Sequence, residues 1–168
     1  LALNDVKAIS EVEGVTAASP ITISTNTVTS DKNTFSSVPI LGTNTDCVKI
    51  EPLSLRYGAF FTEQNEAHSV VLGHTLSLAL FNTVNSTVGQ MITIMGEKFM
   101  VVGVLDEVNR TINFDNIDFD NALIMDAAAL DKTTGSTQIQ QINIKAANTD
   151  SLSQISADIE KTLTNQKL

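Results

Sequence analysis

The stretch SVVLGHTLSLALFNT, residues 69–83, sets an apolar run against a Gly-His pair and then an apolar helical pattern. A strand, a tight turn and a helix in that order can carry a nucleophile elbow or a phosphate-binding loop. The residue types that such chemistry needs are absent: neither Ser69 nor Ser77 stands in Gly-x-Ser-x-Gly, and there is no Gly-x-Gly-x-x-Gly and no Walker lysine. The simpler reading is architectural, with Gly73 allowing a tight strand-to-helix turn while Leu76, Leu80 and Phe81 pack inward. His68 and His74 are six apart, which does not put two ligands on one helical face, and neither has a zincin glutamate. The segment NFDNIDFDN brings Asp115, Asp118 and Asp120 together, hard oxygen donors of the kind Ca2+ takes. It lacks the spacing and closing Glu of an EF-hand loop, so a solvated acidic loop is the favoured reading. Phe114, Ile117 and Phe119 interleave with these acids. Exposed, they would form a contact loop; buried, they would cover the core of a β-rich subdomain. No catalytic, cofactor-binding or metal-ligating set emerges from the spacing of residues.

The chain that must position these side chains has 168 residues, enough for one domain or two small lobes. At this size roughly 70% of the unfolded surface can be buried, so a core forms without staples. The single cysteine, Cys47, has no internal disulfide partner, and two histidines make no zinc set. Ten basic against 19 acidic residues give a net charge of -9, which repels a phosphate backbone or an anionic lipid surface at long range. Nucleic acid is therefore not an expected partner. No apolar run approaches the roughly 20 residues that cross a bilayer. The sequence opens as LALNDVKAI, almost inside a helix and without an initiator Met, which suggests a piece of a longer chain.

At the N-terminus Asn4 can cap a helix carrying Val6, Ile9 and Val12, with Gly14 as its stop. VTAASPITISTNTVTS and TFSSVPILGTN then read as two strands around the polar SDKN, with Pro20 and Pro39 suited to edge or bulged positions. The other end mirrors this: QINIKAAN alternates, and Asp150 can cap a helix with Leu152, Ile155, Ile159 and Leu163 on one face. Two helices covering one face of a small sheet bury both stripes, so the first and last segments are expected to pack together. Between them GQMITIMGEKFMVVGVLDE reads as a hairpin about a Gly96-Glu97 turn, buried on much of both faces. NALIMD reads as a short strand and AAALDK as a helical turn. The expected class is α+β: an α/β outer lobe from residues 1–57 and 131–168, interrupted by a β-rich subdomain over 58–130.

In chain order, DVKAISEVEGVTAASP, LRYGAFFTEQN, VVLGHTLSLALF and VGQMITIMGEKFMVVGVLDE resemble the MacB-like periplasmic core domain. That family is the extracytoplasmic domain of ABC transporter permeases of the MacB, FtsX and lipoprotein-releasing class. The matching positions include Gly58, Phe61, Gly73, Phe81, Gly89, Phe99 and Gly103. Two positions depart from the family pattern: Ala59 where Arg is usual after the first glycine, and Asn82 where Gly is usual after the Leu-Phe pair.

The resemblance implies an α/β lobe interrupted by a β-rich subdomain, with a transmembrane helix before Leu1 and further spans after Leu168. It also implies no cofactor and no chemistry in this domain, which would couple cytoplasmic ATP hydrolysis to export or mechanical work outside the membrane. The implied partners are the membrane part of the same permease, a second permease copy, a cytoplasmic ATPase domain or subunit, and an extracytoplasmic adaptor or substrate. The alternative is a free-standing module binding a small apolar ligand or peptide in the groove between the lobes.

Overall fold

The structure, a computed structural model, describes residues 1–108, 117–135 and 138–166. α1 (Leu3–Ser10) buries Val6 and Ile9 one turn apart. The helix starts at Leu3, with Ala2 rather than Asn4 in the cap position. The cause is Asp5, whose carboxylate accepts the Ala2 N–H at 2.8 Å. Gly14, at φ 90°, then turns the chain into β1 (Val15–Thr29).

β1 has 15 residues, about 50 Å of extended chain. Such a strand can serve two sheets, and it does. Its first part, from Val15 to Ile21, runs antiparallel to β8 (Gln141–Ala146). Its second part, from Thr22 to Thr29, runs antiparallel to β2 (Thr34–Thr43). The SDKN loop between β1 and β2 caps α3 (His74–Phe81): Ser30 Oγ donates to the Leu80 carbonyl at 2.6 Å and Asn33 Nδ2 to that of Ala79 at 3.1 Å.

β2 next pairs in parallel with β7 (Leu123–Asp126), and β7 pairs antiparallel with β4 (Ser69–Leu72). β4 lies parallel to β6 (Glu97–Leu105), β6 antiparallel to β5 (Met91–Ile94), and β5 meets the end of β1 through Val28 and Ile94. The ladder thus returns to its starting strand, and six strands close into a small barrel. Closure leaves none of these strands as a free edge. Val28, Ile40, Val70, Leu72, Ile92, Ile94, Phe99 and Val101 form one buried cluster, joined by Leu76, Leu80 and Phe81 of α3 and by Leu130 of α4 (Ala127–Thr134). Ile21, Leu41, Val71, Leu105 and Ile124 form a second, covered by Phe61, Ile117 and Phe119. The short β3 (Leu55–Gly58) adds to β6 outside the ring, and the short α2 (Cys47–Ile50) follows β2.

The small lobe holds the third cluster, where Val6, Ile9 and Ala18 meet Ile142, Ile144, Ile159 and Leu163. α5 (Leu152–Gln166) supplies the last two. The first and last helices therefore pack on one two-stranded sheet, as their stripes predicted. The expected boundary at residue 57 is displaced, because β2 and the second part of β1 are barrel strands rather than parts of the outer lobe. The expected boundary at 130 would cut α4, whose Ala129 and Leu130 pack in the barrel cluster. The hairpin turn also moves by one residue: Met95 (φ 48°) and Gly96 (φ 82°) form it, with Ile94 opposite Glu97. Along the β5–β6 ladder the hairpin is buried on one face only, since Lys98 and the paired Met91 and Met100 on the other face are exposed.

Candidate functional site: the cleft between the small lobe and the barrel

Phe61, Phe81 and Phe99 are buried. Gly58 (φ 73°) lies against the Val102 carbonyl, and Gly103 lies against that of Ala59, so a side chain at either would hit main chain. Gly89 (φ 94°) donates its N–H to Val101 at 2.8 Å. Gly73 has an ordinary φ of -64°. What it provides is space, because the carbonyls of Phe119 and Asp120 occupy the place of a Cβ. Asn82 ends α3 in the left-handed region at φ 61°. Asparagine is the residue after glycine that best tolerates this conformation, which accounts for the departure from the family pattern.

Ile117 and Phe119 are buried at 8% and 2% exposure, which corrects the exposed contact loop at these two positions. Their apolar area is taken up over Leu41, Val71 and Ile124. Phe114 and Asp115 lie outside the described residues. Asp118 accepts from Asp120 N–H and from Asn121 Nδ2, and Asp120 accepts the Val108 N–H at 2.8 Å. These two carboxylates hold the segment's own backbone. His68 ends a single 3-10 turn (Glu66–His68), and His74 opens α3.

The groove that does form lies between α1 and the barrel and encloses about 560 Å³. Leu3, Val6, Lys7 and Ser10 of α1 make one wall, while Glu63, Glu66 and Asp126 stand on the other. Its floor is Ala18 and Pro20 of β1 with residues 43–46. A second cavity of about 470 Å³ adjoins it across Glu66, Asp126 and Ala128, and is lined by His68, Lys98 and Lys132.

Asp126 is placed by being the N-cap of α4, accepting the Ala129 N–H at 3.1 Å. Burial pushes its carboxyl above the usual range, against the pull of the Ala129 and Ala128 N–H groups. Glu66 is also pushed up, by burial first and then by the charges of Asp126 and Glu63. Within the α1 wall Ser10 Oγ donates to the Lys7 carbonyl, and Ser19 and Thr43 share a buried hydroxyl pair at 2.6 Å. The arrangement is a polar, mainly acidic gap between two packed bodies. Its acidic wall differs from the apolar groove that a small apolar ligand would need. Sequence reasoning missed Glu63, Glu66 and Asp126 because they are brought together only by the pairing of β4 with β7.

The strand order and the three clusters define a domain in which a closed six-stranded barrel shares β1 with a small two-stranded lobe. The chain belongs to the MacB-like periplasmic core domain family, whose model matches residues 1–162. It is 31% identical over 169 residues to the macrolide export ATP-binding/permease protein MacB of Marinobacter nauticus, covering 95% of this chain and 25% of that protein. The corresponding protein of Hyphomonas neptunium is 28% identical over 160 residues, covering 94% of this chain and 24% of that protein. The chain thus spans about a quarter of the length of the curated relatives it matches.

Two solved structures share the fold. The extracellular domain of the noncanonic ABC-type transporter YknZ from Gram-positive bacteria superposes with a TM-score of 0.80 at 15% identity, over 99% of this chain and 84% of that one. The periplasmic region of MacB from Actinobacillus actinomycetemcomitans gives 0.78 at 22% identity, over 97% and 74%. The domain accordingly stands on the extracytoplasmic side of a MacB-type permease. Among the described residues no helix is long and apolar enough to cross a membrane.

Proposed function

We propose that this domain does no chemistry and instead couples ATP hydrolysis in the cytoplasm to export, by moving as two stiff bodies against a substrate or partner outside the membrane. The observation that carries this reading is the placement of α1 and α5 together in a small lobe, joined to a closed barrel through one continuous strand. Force applied to either terminal helix enters the molecule at that lobe and reaches the barrel along β1. A packed interior passes on such a displacement because it resists compression. The membrane part of the permease, a second permease copy and a cytoplasmic ATPase domain or subunit are the partners of this reading, with an extracytoplasmic adaptor or substrate at the barrel. The surface charge favours a contact of compensating positive charge.

The test bridges the cleft. Lys7→Cys and Glu66→Cys in the whole permease, joined by a short bis-maleimide, should lower ATP turnover in proteoliposomes several-fold, while either single variant treated alike should not. Unchanged turnover in the bridged protein would remove the coupling role.

A further inference from the structure

β1 changes partner between Ile21 and Thr22: before this point it pairs with β8, and after it with β2. β2 stops pairing with β1 at Gly42, yet the β1 edge it leaves is not bare. The Ala18 carbonyl accepts from Asn44 Nδ2 at 2.9 Å, and the Ala18 N–H donates to Asp46 Oδ2 at 3.1 Å. Two side chains thus take the place of the next strand. Pro20, two residues on, faces the same edge by the period of a strand, where its missing N–H costs no bond to β8. The clasp is itself braced: Asp46 N–H donates to Asn44 Oδ1 at 3.1 Å, and Lys49 Nζ lies 3.2 Å from Asp46 Oδ1. Lys145 of β8 reaches the Lys49 carbonyl at 3.2 Å.

A main-chain ladder would lock the two sheets into one; side chains with rotatable bonds do not. The clasp also forms the floor of the cleft, and the gap above it separates α1 from Glu63, Glu66 and Asp126. We propose that Asn44 and Asp46 form a releasable clasp on Ala18 that sets the angle between the small lobe and the barrel, with the cleft as the space through which α1 swings. Its role in export rests on the coupling reading above, but the joint is a property of this chain and can be measured without transport.

Spin labels at Glu11→Cys on the C-terminal end of α1 and Gln64→Cys on the barrel side report the angle. Cys47 is buried and its thiol is pushed up to about 11 by burial, so it stays unlabelled. The parent should give one narrow distance distribution. Asn44→Ala with Asp46→Ala should broaden it at least twofold and speed exchange of the Ala18 amide roughly tenfold, the factor that one net hydrogen bond carries. Asp46→Asn keeps an acceptor and should leave the distribution narrow. If the double variant fails to fold by circular dichroism, Asn44→Ala alone is read, with a smaller broadening expected. A distribution as narrow as the parent's in the folded Ala variants overturns the clasp, as does equal broadening in Asp46→Asn. Unchanged ATP turnover in the bridged permease with an intact response here would overturn only the transport reading.

Discussion

Gly73 has an unremarkable backbone and no room for a methyl group. Gly135 is its opposite: it ends α4 at φ 80° with open space around the missing Cβ. The two therefore separate crowding from conformational strain. Gly73→Ala must push the carbonyls of Phe119 and Asp120 aside and should cost about 3 kcal/mol, the upper end of overpacking penalties. Gly135→Ala meets nothing and should cost about 1 kcal/mol, the penalty of the left-handed region alone. Thermal or denaturant unfolding of the two variants checks this, and equal losses would mean that the Phe119–Asp120 segment yields freely.

At the scale of the element, the β5–β6 hairpin and the start of α4 each turn on one residue. The two-residue turn holds Met95 and Gly96 at positive φ, a conformation that Asn-Gly suits and Met-Gly does not. Met95→Asn, at an exposed tip, should raise stability by roughly 0.5–1 kcal/mol. An unchanged or lower melting temperature would argue against the turn type. Both strands were legible from alternation, whereas the turn was misplaced by one residue because Gly96 dominated the local signal.

Asp126 caps α4 and also faces Glu66, so it carries a pH effect as well as a capping one. The folded chain holds both carboxyls above their ordinary values, and so takes up protons at a pH where the unfolded chain does not. Their contribution to stability is fully present below the ordinary carboxylate range and is lost as pH rises through the folded values. Asp126→Asn keeps a capping oxygen and removes that titration. It should flatten the fall in melting temperature as pH rises above the ordinary carboxylate range, and Asp126→Ala should in addition lose about 1 kcal/mol at neutral pH. A slope identical to the parent's in Asp126→Asn would remove the carboxyl as its source.

At the scale of the molecule, the two bodies differ in how their strands are protected. The barrel closes on itself, and its central residues are fully buried. The small lobe has two strands, and every residue of β8 is at least partly exposed. Two-stranded sheets hold only through what packs on them, here α1 and α5. Native-state hydrogen exchange should therefore find α1, β8 and α5 opening together at lower free energy than β2, β4, β6 and β7. Uniform protection across both bodies would show that the clasp and β1 weld them into one cooperative unit.

Apolar period, glycine placement and turn residues are local signals, and they were sufficient for nearly every strand and helix and for the packing of the first helix on the last, while four motif segments in chain order carried the family resemblance. The sequence by itself thus determined the elements and the permease class of the domain. Barrel closure required β2 to find β7 some eighty residues away and β5 to find the far end of β1, and register over such separations leaves no mark in a short window. The burial of Ile117 and Phe119 was likewise undecided, because an apolar side chain beside acids packs or protrudes according to what lies beneath it. Only the tertiary structure put Leu41, Val71 and Ile124 there. The cleft and its clasp follow from the same cause: one strand is shared between two sheets, and the place where its partners change is set by the whole fold.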